Sequence, residues 1–156
     1  MNKKLKKHGY FIERNFFNKP TTDILCLYSL KSVRDQISVR GALDNPTEHK
    51  LSWNIRDDGH AAFDAVLPSM TEKMSRLCKV ELIPSYYYQR IYLKGADMDG
   101  HIDRDACQYS CSVNLGQSEQ YPIYILDKHT NKYTEALLEP GAVSYTHLTL
   151  PTILRV

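Results

Sequence analysis

No run of apolar residues in this chain approaches the roughly 20 that a membrane-spanning helix needs, so no membrane partner is expected. Charge of one sign is scarce as well. The net charge is +2, and no basic stripe interleaves with aromatics, which argues against nucleic acid as a partner. Lys3, Lys4, Lys6 and Lys7 make a basic start, but no apolar run follows them, so a signal peptide is not expected. Cysteine is limited to Cys26, Cys78, Cys107 and Cys111, scattered rather than set out as a disulfide scaffold. A reducing cytoplasm is the compartment that usage suggests. There is no glycine-rich phosphate loop, no Gly-x-Ser-x-Gly elbow and no Cys/His nucleophile pair. Internal repeats and low-complexity tracts are missing too.

What is present is an ordinary globular composition: 156 residues, 42% hydrophobic and 24% charged. That length suits one domain able to bury roughly two-thirds of its unfolded surface. Tyrosine is frequent, with 11 copies, three of them adjacent at Tyr86, Tyr87 and Tyr88.

The first part of the chain reads as helical. Residues 10–17 suggest a short strand and turn. Pro20-Thr-Thr-Asp23 then starts a helix to about Val39, with Ile24, Leu27, Tyr28 and Leu30 on its apolar side. Residues 41–53 look like loop, with a turn at Asn45-Pro46. A second helix is expected from Asp57 to Lys79, its acidic start suiting a helix N-terminus and Pro68 kinking or breaking it. From Val80 the character changes. Segments 80–93, 106–115, 121–126 and 132–138 are short, β-branched or aromatic, and separated by turn residues. Helices first and strands second predict an α+β chain, with helices at about 20–79 buttressing a sandwich or jelly roll at about 80–142.

The chemistry concentrates at Gly100-His101-Ile102-Asp103-Arg104. In an extended segment side chains alternate, so His101 and Asp103 point the same way. One imidazole and one carboxylate on one face are two of the three protein ligands of a non-haem Fe(II) facial triad. The plain alternative is a turn whose polar residues face water. The strand before it weighs against that reading. Tyr86, Tyr88, Arg90 and Tyr92 share one face, and an arginine among tyrosines is costly to bury unless it meets a polar cavity or partners.

The run Leu82-Ile-Pro-Ser-Tyr-Tyr-Tyr-Gln-Arg-Ile-Tyr-Leu-Lys-Gly95, followed by His101-Ile-Asp103-Arg104-Asp-Ala-Cys107-Gln-Tyr-Ser110, resembles a bacterial and phage branch of the Fe(II)/2-oxoglutarate-dependent dioxygenases related to prolyl and lysyl hydroxylases. The resemblance extends from Gly9-Tyr10-Phe11-Ile12 to Leu138-Glu-Pro-Gly141, with residues 86–110 its specific part. It implies a double-stranded β-helix, with iron held by His101, Asp103 and a distal histidine. It implies that Tyr92 points toward 2-oxoglutarate and that Arg104 lies behind the ligands or at the entrance, while the strand face with Tyr88 and Arg90 reads as the lining of a substrate site or the shell behind it. Fe(II), 2-oxoglutarate and O2 are the implied cofactors, with ascorbate as an accessory reductant. The implied reaction hydroxylates a C–H bond and releases succinate and CO2. The primary substrate, whether peptide, amino acid or glycan, is not implied.

After Gly141 the resemblance implies another strand and turn, the distal histidine and a basic residue that clamps 2-oxoglutarate. The chain instead continues Val143-Ser-Tyr-Thr-His-Leu-Thr-Leu-Pro-Thr152, then Ile-Leu-Arg-Val156. The decapeptide 143–152 resembles, residue for residue, the translation of a transposase-type sequencing adapter. The expectation is a domain over 1–142, a jelly roll lacking its last strands, and an artefactual tail over 143–156. His147 and Arg155 imitate the missing ligand and clamp, but His147 comes about six residues after Gly141, half the implied spacing. A fragment of this kind is expected to be inactive as written.

Other candidates have plainer explanations. Cys107 and Cys111 beside His101 and Asp103 suggest a zinc-stabilised domain, but a four-residue step along a strand is a poor pincer, and buried small hydrophobes fit better. His49 and His60 read as surface residues, Asp57-Asp58 as a helix cap, and residues 121–126 as a core strand. The alternative function is a non-catalytic jelly-roll module whose tyrosine-rich face binds sugar or peptide.

Overall fold

Asn2 and Gly9 bracket the first helix, α1 (Lys3–His8), in a computed structural model that describes residues 2–40, 52–55, 60–103, 107–127, 129–147 and 152–155. The Asn2 side chain accepts the Lys4 amide, and Gly9, at φ 82, sends its own amide to the Leu5 carbonyl. Lys6, Lys7 and His8 occupy the last turn, where the helix dipole favours positive charge. The lysine run thus belongs to a short capped helix.

The two expected long helices are α2 (Lys19–Arg40) and α3 (Ala61–Cys78). Two details differ from expectation. α3 is continuous through Pro68, so of the expected kink or break the break does not occur. Proline forfeits one amide bond there, and the packing of Met70, Met74, Leu77 and Cys78 against the core keeps the turns together. The apolar side of α2 is also largely displaced: of its four expected residues only Tyr28 is half-buried, edge-on to Phe63 and His60. Ile24, Leu27 and Leu30 are 64%, 66% and 51% exposed, while Thr22, Leu25, Ser29 and Val33 are buried. Thr22 and Ser29 tolerate burial because their hydroxyls donate to the Asn18 and Leu25 carbonyls one turn back. Asp57, Asp58, His49 and the Asn45-Pro46 turn lie outside the described residues.

The described strands are β1 (Tyr10–Glu13), β2 (Ser52–Ile55), β3 (Gln89–Tyr92), β4 (Asp97–His101), β5 (Tyr109–Val113), β6 (Pro122–Asp127), β7 (Lys132–Leu137), β8 (Val143–His147) and β9 (Thr152–Arg155). They pair antiparallel in three sheets, ordered β1-β8-β5, β2-β3 and β4-β9-β6-β7. Trp53 therefore lies in a strand, opposite Ile91, and not in a loop. Residues 143–147, set apart above as a tail, form the central strand of the first sheet, and residues 152–155 lie between β4 and β6.

Alternation along β1 organises the layers. Phe11 joins Leu5, Phe16, Met74, Cys78, Val143 and Tyr145 in the main core, against the helices. Tyr10 and Ile12, on the opposite face, pack on Ile125 and Ala136 of the β6–β7 hairpin. Helices, first sheet and hairpin sheet thus stack in order around a strand only four residues long.

A buried acid ties the outer layers together. Asp127 closes the β6–β7 turn by accepting the His129 and Thr130 amides on Oδ1, while Oδ2 meets His8 Nδ1 at 2.6 Å. The Thr130 amide and then the His8 ring hold its carboxyl well below the usual carboxylate range. A carboxylate depressed in the folded state stabilises the fold above its unfolded pKa, near 3.8, and that contribution fades as pH falls below it. Asp127→Asn keeps an acceptor for the turn amides but removes the charge. The wild-type advantage in urea midpoint over this variant should be largest near pH 5 and shrink steadily toward about pH 2. An advantage independent of pH would contradict the assignment.

Candidate functional site

Residues 81–88 have no regular structure, so of the expected strand over 80–93 only Gln89–Tyr92 pairs. Pro84 lacks an amide to donate to any ladder. The alternation nevertheless holds where it matters. The Arg90 guanidinium lies 5.0 Å from the Tyr88 ring centroid and 5.7 Å from that of Tyr92, and its Nη1 donates to the Tyr92 hydroxyl at 3.3 Å. Tyr87 turns to the other side. Its hydroxyl donates to Asp64 and accepts the His60 amide, and its ring packs on Phe63. His60 itself is half-buried, edge-on to Tyr28.

Burial opposes the charge on Arg90, but the Tyr92 and Tyr88 oxygens more than offset it and hold the guanidinium above its ordinary range. Burial raises the Tyr92 phenol, with Arg90 pulling the other way. Tyr92 therefore remains protonated and able to donate near neutral pH. It also stacks on Tyr121 at 5.8 Å, and the Tyr121 hydroxyl reaches the Ala96 carbonyl. Tyr121 was read as part of a core strand. It stands 29 positions from Tyr92 in sequence, and no local pattern reports the contact.

A turn at Leu93–Ala96, closed by the Ala96 amide and by Gly95 at φ 84, delivers the chain into β4. The register of β4 against β9 shifts between Met98 and His101, and β4 ends at His101. His101 Nε2 and Asp103 Oδ1 converge to 3.7 Å, both side chains nearly half exposed. Ile102 and Asp103 lie beyond the end of β4, and residues 101–103 are all exposed, as polar residues facing water also are. Metal–ligand bonds of about 2.1 Å put adjacent octahedral donors about 3 Å apart, closer than this pair stands.

Among the described residues no three His, Cys, Asp or Glu side chains form a group that could hold a metal ion. His147 lies in β8, its ring against Tyr109 and its amide donating to the Gly9 carbonyl, in a different sheet from His101. Cys107 reaches the Tyr86 hydroxyl. Cys111 packs on the main core, where burial pushes its thiol up to about 12. The two cysteines thus have separate surroundings, as buried or half-buried small side chains do. Arg104 lies outside the described residues. Gln89, neighbour to Arg90, is buried with neither amide atom hydrogen-bonded, a feature the sequence did not signal.

No protein-family model and no curated protein matches the sequence. The fold is similar to the crystal structure of a Pseudomonas putida prolyl-4-hydroxylase, with a TM-score of 0.68 over 97% of this chain and 88% of that one. Identity is 15%, so the likeness is one of fold: helices beside antiparallel strands, arranged as in a prolyl hydroxylase. No helix among the described residues is long and apolar enough to cross a membrane.

Proposed function

We propose that this chain derives from an Fe(II)/2-oxoglutarate-dependent oxygenase that hydroxylates a C–H bond, with His101 and Asp103 as two of its metal ligands. The observation that carries the reading is their 3.7 Å approach at the end of β4, in a fold similar to a prolyl-4-hydroxylase. Iron with 2-oxoglutarate and O2 would supply the oxidising power, giving succinate and CO2. The chain's own residues would bind and orient. The His101 imidazole would give its Nε2 lone pair and Asp103 a carboxylate oxygen. Tyr92, kept protonated by burial and fixed by Arg90 and Tyr121, would donate a hydrogen bond to the cosubstrate. Arg90, Tyr88 and Arg104 would lie on the substrate side. Prolyl or lysyl side chains, free amino acids and glycan-linked groups all suit this chemistry.

In this reading the third ligand and the 2-oxoglutarate clamp come from sequence other than residues 143–156, and the chain as written turns over little or not at all. Anaerobic Fe(II) titration with 2-oxoglutarate tests it. Iron should bind weakly to the chain as written and more tightly to one carrying the natural continuation after residue 142, and His101→Ala should reduce both affinities. Succinate release should appear only in the longer chain. If the longer chain also fails to bind iron, the domain is a non-catalytic binder of sugar or peptide.

A further inference from the structure

Lysine covers the whole outward side of α1. At about 100° per residue, Lys3 and Lys7 lie about 160° either way from Leu5, which is buried in the main core, and Lys4 and Lys6 lie about 100° to its two sides. All four are exposed, and among the described residues none of them takes part in an ion pair. Lys3 and Lys4 sit in a first turn without an acidic residue, where the helix dipole favours negative charge, and Lys3 repels Lys7 one turn on. The charge at the start of α1 therefore works against the helix that carries it. The helix is nevertheless held at both ends. Asn2 donates from its amide to the Cys78 carbonyl and from its side chain to the Leu77 carbonyl, at the end of α3, and His8 meets Asp127.

Neighbouring positions extend the patch. Lys79 follows the end of α3 that Asn2 holds, and Lys132 stands across from Asp127 in the β6–β7 register; both are exposed. Asp127 is buried and taken up by His8 and the turn amides, while an exposed carboxylate, Glu81, lies two residues beyond Lys79. Four of the chain's 20 basic residues and none of its 18 acidic ones lie in α1, so the net charge of +2 divides into +4 on this helix and −2 on the rest. That division selects the partner. A nucleic acid or a lipid surface extends well past the Debye length of about 8 Å and meets the acidic remainder as well. α1 also carries no Phe, Tyr or Trp for stacking on bases, and its one apolar side chain, Leu5, is buried and cannot enter lipid. A short acidic segment needs the patch alone, and a flexible one can follow the arc of about 160° over which the four lysines fan.

We infer that α1, with Lys79 and Lys132, is a docking surface for a flexible acidic segment of a partner protein, whose carboxylates pair with Lys3, Lys4, Lys6 and Lys7. A helix fixed at both ends presents these lysines in one arrangement, as a binding site on a rigid element does. Exposed ion pairs are individually weak and screened by salt, so the complex forms quickly and is lost at high salt.

The probe is a labelled dodecapeptide of alternating Glu and Ser, followed by fluorescence anisotropy against the full chain. Binding should saturate at low salt and weaken about tenfold or more between roughly 20 and 200 mM NaCl. Lys3→Gln, Lys4→Gln, Lys6→Gln and Lys7→Gln together should weaken it about tenfold or more. The circular dichroism spectrum should not change, since glutamine is close to lysine in helix propensity. The same charge removed at exposed positions elsewhere, by Lys19→Gln, Lys31→Gln, Arg34→Gln and Lys94→Gln together, should alter binding less than about twofold. The two variants have equal net charge, so the comparison separates a docking patch from general attraction. No saturable binding, an equal loss in both variants, or equal affinity for duplex DNA or phosphatidylserine vesicles would each overturn the inference.

Discussion

Gly141→Ala should destabilise the fold by about 3 kcal/mol or more, read as a drop in the urea midpoint. Gly141 has φ +84, a backbone region in which an L side chain is strained. An added Cβ would also stand 2.7 Å from the Phe17 carbonyl oxygen and 2.9 Å from Thr22 Oγ1. Neither neighbour has room to withdraw. The Phe17 amide donates to the Gly141 carbonyl, and the buried Thr22 hydroxyl is bonded to the Asn18 carbonyl. The Gly141 amide donates to the Asn114 carbonyl, and the Asn114 amide to Ala142. This turn locks the start of α2, the end of β5 and the entry to β8 together. A variant within about 1 kcal/mol of wild type would mean the turn relaxes at little cost.

Tyr145 should give opposite results for two substitutions. Its ring is buried, stacked on Phe11 at 4.4 Å and edge-on to Phe16 at 6.0 Å, so Tyr145→Ala should cost about 3–5 kcal/mol. Its hydroxyl, by contrast, is buried with no hydrogen-bond partner. Burial, with the Cys111 and Cys78 thiols nearby, pushes the phenol far above its ordinary range. Tyr145→Phe keeps the ring and removes the orphaned group, so it should stabilise by about 1–2 kcal/mol. Both values come from urea unfolding of the full chain. A destabilised phenylalanine variant would show that the hydroxyl is satisfied after all.

The sequence signalled elements more reliably than faces. Both long helices appear within a few residues of their expected bounds, because apolar spacing and start signals are local. The face of α2 was misread because counting large apolar residues ignores Thr22 and Ser29, which enter the core once their hydroxyls bond back to the helix. Trp53 was placed in a loop because its strand exists only through pairing with β3, nearly 40 residues later. The closeness of His101 and Asp103 follows from their two-residue separation alone and needs no long-range contact. Tyr121 against Tyr92 and the bare amide of Gln89 were not, because tertiary packing alone creates them.

The pairing of β1 with β8 joins Tyr10–Glu13 to Val143–Thr146, and the main core is completed only by Val143 and Tyr145. A ribosome releases the first strand long before its partner exists. Throughout translation Phe11 and Phe16 have no Tyr145 to pack against, so helices and hairpins can form early while the central layer must wait. Closing so wide a loop makes folding slow and leaves the nascent chain in need of protection from its neighbours until β8 emerges.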